Sequence, residues 1–236
     1  MRIALVGSIY GDLDRLYSGL QADPKGFDWV ISTGNFGVWP DPLRANRAAR
    51  RSASGPGTFI DYLVGKKTIP IPTLLVPGKH EDHLWIQRMV KRGDGELVFN
   101  LHYLVTGNKT NLENTNESYR VLGFGGTYSP KPWTLEGNYT MDQVKTACAA
   151  GPVDILVAHE APEGESFGNI KSQAKGINKI CFATRPRLLV HGKYSETVIY
   201  RTKQTNTLAI CVGAGEYFPL EITEKGMNLH AMSSLG

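Results

Sequence analysis

Six short stretches of this chain are apolar at nearly every position: 3–6 (IALV), 29–32 (WVIS), 73–76 (TLLV), 121–124 (VLGF), 155–158 (ILVA) and 188–190 (LLV). A strand with one wet face alternates polar and apolar residues. A strand that is apolar throughout is covered on both faces. Amphipathic patterns separate these runs. Over 12–20, Leu13, Leu16, Tyr17 and Leu20 recur on one helical face, with Asp12 placed as an N-cap. Segments 58–64, 82–90, 141–149 and 172–183 also read as helices. After Tyr194 the pattern changes to consecutive strands at 197–201, 208–212, 218–222 and 227–229, joined by short polar turns. The polar stretch 108–117 reads as a surface loop between two strands. Strands buried on both faces, with helices between them early in the chain and strands dominating late, read as an α/β fold. No linker or repeat divides the chain, so residues 1–236 are expected to form one domain.

Composition narrows the classes further. The hydrophobic fraction of 41% and charged fraction of 20% are those of an ordinary globular protein. No apolar run approaches the ~20 residues that span a bilayer. The run at 3–6 is too short for a signal-peptide core, so a cytoplasmic location and no membrane contact are expected. Asn108, Asn116 and Asn138 head glycosylation sequons, which without a secretory route are chance matches. Cys148, Cys181 and Cys211 are odd in number and far apart, which suits reduced, mostly buried thiols better than a disulfide framework or a zinc site.

Polar and ionisable residues follow five of the strands. The groups are Gly7-Ser8-Ile9-Tyr10-Gly11, Gly34-Asn35, Gly78-Lys79-His80-Glu81, Ala158-His159-Glu160 and Val190-His191-Gly192-Lys193. Ligands of α/β sheets bind beyond the carboxyl ends of the strands, so five such termini can converge on one site. Each is weak alone: a lone His159 would more often be a satisfied core histidine.

The order and spacing of these groups resemble the calcineurin-like metallophosphoesterase superfamily, whose pattern runs D-x-H, G-D, G-N-H-[ED], H and G-H-x-H. The resemblance spans residues 1–194. It is nearest in feel to the RNA lariat-debranching branch, whose G-x-L-D-x-I-Y is similar to Gly11-Asp12-Leu13-Asp14-Arg15-Leu16-Tyr17. Residues 59–81 resemble the segment that leads that branch into G-N-H-E, and 119–128 (YRVLGFGGTY) also match in character.

The resemblance implies an α/β sandwich of two sheets flanked by helices that carries a two-metal phosphoesterase site, and most of that site's ligand positions are changed here. The first motif's aspartate and histidine correspond to Ser8 and Tyr10, the bridging aspartate to Asn35, and the asparagine ligand to Lys79. His80 matches the histidine that assists at the scissile phosphate. His159 and His191 match two ligands of one metal and remain as remnants, while the last histidine corresponds to Lys193. Hydroxyls and an amide are weak substitutes for carboxylate and imidazole donors, and a protonated lysine repels a cation. No bound metal is therefore expected. Lys79 and Lys193 instead keep the pocket positive and should point into the former metal cavity.

Three readings follow. The first is an inherited fold with a decayed site and no ligand. The second is a catalytically impaired binding or scaffold module for a protein partner or a phosphate-like anion, with Ser8, Tyr10, Asn35, Lys79, His80, His159, His191 and Lys193 lining its pocket. The third is an atypical phosphodiesterase acting on nucleic acid or nucleotides. It would need Mn, Fe, Zn or Ni and would use His80 as acid or base. Glu160, Glu163 and Glu165 are read as an exposed loop able to pair with Lys79 or Lys193.

The net charge is +4, and its distribution is uneven. Arg44, Arg47, Arg50, Arg51, Lys66 and Lys67 face Asp61 alone over 44–67. On one helix Arg44, Arg47 and Arg51 would share a face, with Arg50 beside them. The cluster is either a solvated surface or a nucleic-acid contact, with Phe36 and Trp39 near enough in sequence to stack on a base or to be core.

Overall fold

The computed structural model describes residues 1–51, 55–93, 95–113, 118–130, 136–223, 226–229 and 233–234. In chain order the first half comprises β1 (Arg2–Val6), α1 (Leu13–Gln21), β2 (Trp29–Ser32), α2 (Arg47–Arg51), α3 (Phe59–Leu63), β3 (Thr73–Leu75), α4 (His83–Arg92), β4 (Glu96–Val98), β5 (Leu101–Tyr103) and β6 (Lys109–Glu113). The second half comprises β7 (Ser118–Phe124), α5 (Met141–Cys148), β8 (Ile155–Ala158), β9 (Ser166–Phe167), β10 (Ile170–Lys171), α6 (Ile177–Thr184), β11 (Leu188–His191), β12 (Val198–Arg201), β13 (Leu208–Cys211), β14 (Glu216–Thr223), β15 (Gly226–Leu229) and β16 (Ser233–Ser234).

Two sheets face each other. One runs β15-β14-β1-β2-β3-β5-β4, with β16 also on β14; the other runs β12-β13-β11-β8-β7-β6. Strands β1, β2, β3 and β5 are parallel, as are β7, β8, β11 and β13. The late strand β14 returns antiparallel to β1, pairing Arg2 with Glu221 through Val6 with Tyr217.

The uniformly apolar strands serve two cores at once. On β1, Ile3 and Leu5 enter the layer between the sheets, while Ala4 and Val6 pack beneath helices with Leu13, Leu16, Phe59 and Ile86. On β8, Ile155 and Val157 face the other sheet, while Leu156 and Ala158 pack with Val144, Ile177 and Ile180. Each strand alternates between an inner and an outer core, and this is why alternation of polarity is missing from the sequence. Helix starts follow local chemistry. Asp12 caps α1 through Arg15 N at 3.3 Å, and Asp82 caps α4 through Trp85 N at 3.0 Å. Thr140 and Gln143 form a reciprocal capping box on α5.

Several sequence expectations need correction. The stretch 108–117 is no simple loop: β6 occupies Lys109–Glu113 and pairs with β7, and 114–117, including Asn116, lie outside the described residues. The helix expected over 172–183 starts only at Ile177, because Gly176 at φ 108 breaks the chain direction there. Ahead of it β9 and β10 pair as a small ladder. Arg44 does not share a helix with Arg47 and Arg51. It ends a 3-10 turn, Pro42–Arg44, and α2 begins at Arg47. The three cysteines are free, with Cys181 and Cys211 buried.

The loops above the sheet pack backbone against backbone. A Cβ on Gly37, which has φ 91, would overlap Gly11 Cα. A Cβ on Gly57, with φ 83, would overlap the Gly11 carbonyl oxygen. This junction joins the loops after β1 and β2 to the start of α3. Gly37→Ala combines left-handed strain with backbone overlap and should cost at least about 2 kcal/mol. Urea denaturation measures it, and an unchanged midpoint would mean that the loops can separate without loss.

Candidate functional site

Strands β1, β2, β3, β8 and β11 end on the same side of the sandwich, and the five polar groups singled out in sequence meet there. Asn35 is the hub. Its side-chain Nδ2 donates to Ser8 Oγ at 3.3 Å, and its Oδ1 accepts from Lys79 N at 2.8 Å and His80 N at 3.3 Å. Its backbone is left-handed, at φ 53. Tyr10 at φ 51 and Lys193 at φ 76 share that conformation, which Asn tolerates far better than Tyr or Lys. Strained non-glycine backbone at three of these positions marks loops held in shape by their surroundings. The Tyr10 ring stands edge-on to His80, with centroids 5.0 Å apart.

The two remnant histidines are buried, His159 at 1% and His191 at 0% exposure. His159 Nδ1 lies 2.7 Å from the Thr33 carbonyl, which can only accept, so Nδ1 carries the proton. His191 Nδ1 faces the Gly192 carbonyl at 3.4 Å in the same sense, and the Tyr200 hydroxyl donates to its Nε2 at 2.7 Å. The lone pair of His191 is therefore taken by Tyr200. Burial, first of all, holds His159 down at about 4, with Lys193, His80 and Lys79 adding repulsion. Burial likewise holds His191 at about 3, with His159 adding to it. His80 is half-buried; burial and then Lys79 lower its pKa, and its Nδ1 is buried without a hydrogen-bond partner.

The two lysines behave differently from the expectation of inward-pointing ammonium groups. Lys193 is paired with Glu160, whose carboxylate also accepts from Tyr128 N at 2.6 Å. Lys79 puts its amide into the site while its side chain is exposed and lines a lateral cleft with Arg44 and Asp82. A buried, unpaired ammonium is costly, so water keeps Lys79 and a carboxylate keeps Lys193. The charge of both still reaches His159. Glu160 and Glu165 are buried, at 5% and 4% exposure, and do not line an exposed loop. Glu160 pairs with Lys193, whereas Glu165 accepts from Lys203 N at 2.7 Å.

Glu81 had no role in the sequence analysis beyond its place in the third motif. It is 2% exposed, and it accepts Phe36 N at 2.6 Å and Gly78 N at 3.0 Å, clasping the loop after β2 to the loop after β3. Burial pushes its pKa to about 7 against the opposing pull of those amides. Thr33 and Tyr200, which set the histidine tautomers, carry no motif signal and could not be found by spacing. Phe36 is a core residue at 0% exposure, whereas Trp39, at 5%, lines the cleft beside Lys79 and Arg44.

The basic stretch abuts the site. Asn46 Nδ2 donates to Lys79 O at 3.0 Å, and Asn46 Oδ1 accepts Ala49 N at 2.8 Å in α2. Arg44 pairs with Asp82 at 3.4 Å, while Arg47, Arg50 and Arg51 are exposed.

A two-metal site does not fit these donors. Among the described residues no three His, Cys, Asp or Glu side chains are grouped to hold a metal ion. Asn35 Oδ1 is committed to two amides, His191 Nε2 to Tyr200, and Ser8 Oγ to Asn35. Among the described residues the Nε2 lone pair of His159 has no such commitment.

Two outcomes follow from these environments. Glu81→Ala should destabilise by roughly 2–4 kcal/mol, because buried amides lose their acceptor; a loss below about 0.5 kcal/mol in urea melts would deny the clasp. The second concerns pH. The unfolded histidines bind protons below about 6.5, while the native ones stay neutral down to about 4 and about 3. Stability from this pair is full above about 6.5 and is lost as pH falls. Glu81 acts oppositely, since its contribution is full below its usual value of 4.5 and fades as pH rises to about 7. The drop in Tm from pH 7 to pH 5 should therefore be smaller in a His159→Asn/His191→Gln variant than in the parent. Equal drops would show that the histidines titrate as in the unfolded chain.

Comparison with known proteins agrees with this geometry. No protein-family profile matches the chain. The lariat debranching enzyme of Schizosaccharomyces pombe is 28% identical over 193 residues, covering 72% of this chain and 39% of that enzyme. The Arabidopsis thaliana lariat debranching enzyme is 24% identical over 198 residues, covering 73% of this chain and 45% of its own length. The chain thus matches less than half the length of these relatives. Among solved structures, TT1561 of Thermus thermophilus superposes with a TM-score of 0.65 at 15% identity, covering 100% of this chain and 99% of that one. A candidate 5′-nucleotidase from Staphylococcus aureus gives 0.57 at 14% identity, covering 99% of this chain and 54% of its own. The chain is thus similar in sequence to lariat debranching enzymes and shares its fold with metallophosphoesterase structures, a likeness that points to the calcineurin-like metallophosphoesterase superfamily.

Proposed function

We propose that this chain is a metallophosphoesterase-fold binding module that recognises a phosphate-like anion, or an acidic group on a protein partner, without metal-dependent hydrolysis. The observation that carries this reading is the capped donor set: Tyr200 occupies the lone pair of His191 and backbone amides occupy the carbonyl of Asn35. Two-metal phosphoesterases need paired ions to generate hydroxide and to clamp the transition state. Beside the site stand Lys193 and the exposed Lys79, whose positive charge adds to burial in holding His159 down. An anion entering beside His80 would meet the exposed ammonium of Lys79 and could draw Lys193 away from Glu160. A module of this kind is expected to work in the cytoplasm.

The debranching relatives favour a second reading, an atypical phosphodiesterase acting on nucleic acid or nucleotides. His159 and His191 would then hold Mn, Fe, Zn or Ni, with His80 as acid or base. That reading requires Tyr200 to release His191 and a further ligand to join, so no step is derived through a metal.

Elemental analysis after manganese incubation should find metal well below one ion per chain, and generic phosphodiesters should not turn over with manganese, nickel or zinc. Calorimetric titration with inorganic phosphate should show binding that weakens about tenfold in Lys193→Ala. Two ions per chain, or turnover abolished by His159→Ala, would overturn the module reading in favour of the hydrolase.

A further inference from the structure

The opposite end of the second sheet carries a feature that the site does not use. Helix α6 buries Ile177, Ile180, Cys181 and Thr184 and leaves Phe182 outward, 77% exposed. Phe182, Arg185, Arg187, Arg201, Thr205 and Asn206 line a groove of about 360 Å3. The groove lies where β11 and β13 begin and β12 ends, whereas His159 and His191 lie where β8 and β11 end. One four-residue strand, roughly 13 Å long, separates the two places.

The charges here are mostly uncompensated. Asp154 sits just ahead of β8 and is shared by Arg187 at 3.9 Å and Arg120 at 3.6 Å. Arg201 donates to Asn206 O at 3.0 Å, and among the described residues neither it nor Arg185 has a carboxylate partner. Arg185 stands at the left-handed end of α6, at φ 47, which turns the chain outward at the groove.

We propose that this groove binds single-stranded nucleic acid, with the Phe182 ring as a base-stacking platform and Arg185, Arg187 and Arg201 as phosphate contacts. The chemistry favours this occupant over an acidic peptide. Phe182 is the one aromatic ring in a guanidinium-rich groove whose other lining is Thr205, Asn206 and Thr207 with only Cys181, Pro186 and Leu208 as apolar neighbours. An apolar peptide anchor needs a pocket of apolar neighbours, whereas an unpaired base needs one exposed π-face and cations along its backbone. A duplex hides its base faces, so the ring selects single strands. The site is independent of the metal-free reading above, since neither histidine nor lysine of that pocket takes part.

The test is fluorescence anisotropy of the full chain with a labelled single-stranded oligonucleotide across a salt series. Far-UV melts check that each variant is folded, which exposed positions should allow. Phe182→Ala should weaken binding about tenfold with the salt slope unchanged, as loss of one stacked base implies. Arg185→Glu/Arg201→Glu should abolish measurable binding at moderate salt and lower the slope of log K against log salt by about 1–2 at low salt. An Arg47→Glu/Arg50→Glu/Arg51→Glu variant should retain parental affinity. The proposal fails if the oligonucleotide does not bind at low salt, or if the groove variants bind like the parent. It also fails if the loss maps to Arg47–Arg51, or if polyglutamate competes equally while Phe182→Ala has no effect. The last result would mark a docking surface for acidic proteins.

Discussion

The buried carboxylate of Glu81 is the constraint on which the site depends. Two loops leave neighbouring parallel strands, and each brings unpaired backbone amides into a space that water does not reach. Glu81 supplies acceptors for Phe36 and Gly78 at 2.6 and 3.0 Å. Only with those loops clasped can Asn35 place its Oδ1 on the amides of Lys79 and His80, and only then does His80 stand against Tyr10. The cost is a carboxyl whose pKa is driven to about 7 by burial. A buried polar network is stable when every member is satisfied, and here Asn35 and Glu81 meet that condition while His80 Nδ1 does not.

Around that clasp the loops keep a strained geometry while the side chains change character. Tyr10, Asn35 and Lys193 all sit in the left-handed region. At these three places the backbone presents a phenol, an amide and an ammonium. Hydrogen bonds inside the protein occupy the donor atoms of these loops, most plainly where Tyr200 meets His191. Neutral histidines at about 4 and about 3 follow from burial first and from nearby positive charge second.

The sandwich also separates two positively charged regions. Lys79, Lys193 and the arginines of α2 lie about the carboxyl ends of the strands, whereas Arg185, Arg187 and Arg201 lie about the opposite end of the second sheet. Short strands make this possible, because a four-residue strand leaves both of its ends at the surface.

The sequence by itself determined the layers and the motif loops. Continuous apolar runs such as 155–158 must be covered twice, and Asp12 and Asp82 start helices through contacts only three residues away. Local periodicity also located the six buried strands to within a residue or two at most ends; β7 began three residues early. It could not locate β4, β5 or β6, whose short, half-polar runs are strands only because neighbouring strands supply their hydrogen bonds. Nor could spacing show that Arg44 would leave the arginine helix for Asp82, or that Lys79 would turn outward while Lys193 met Glu160. Tyr200 lies nine residues from His191 on a different strand, and Thr33 lies 126 residues from His159. Those contacts fix which histidine nitrogen carries a proton, and only the folded chain brings them within hydrogen-bonding distance. Motif order is carried along the chain, but the protonation and free valence of each donor are set by neighbours that folding alone makes adjacent.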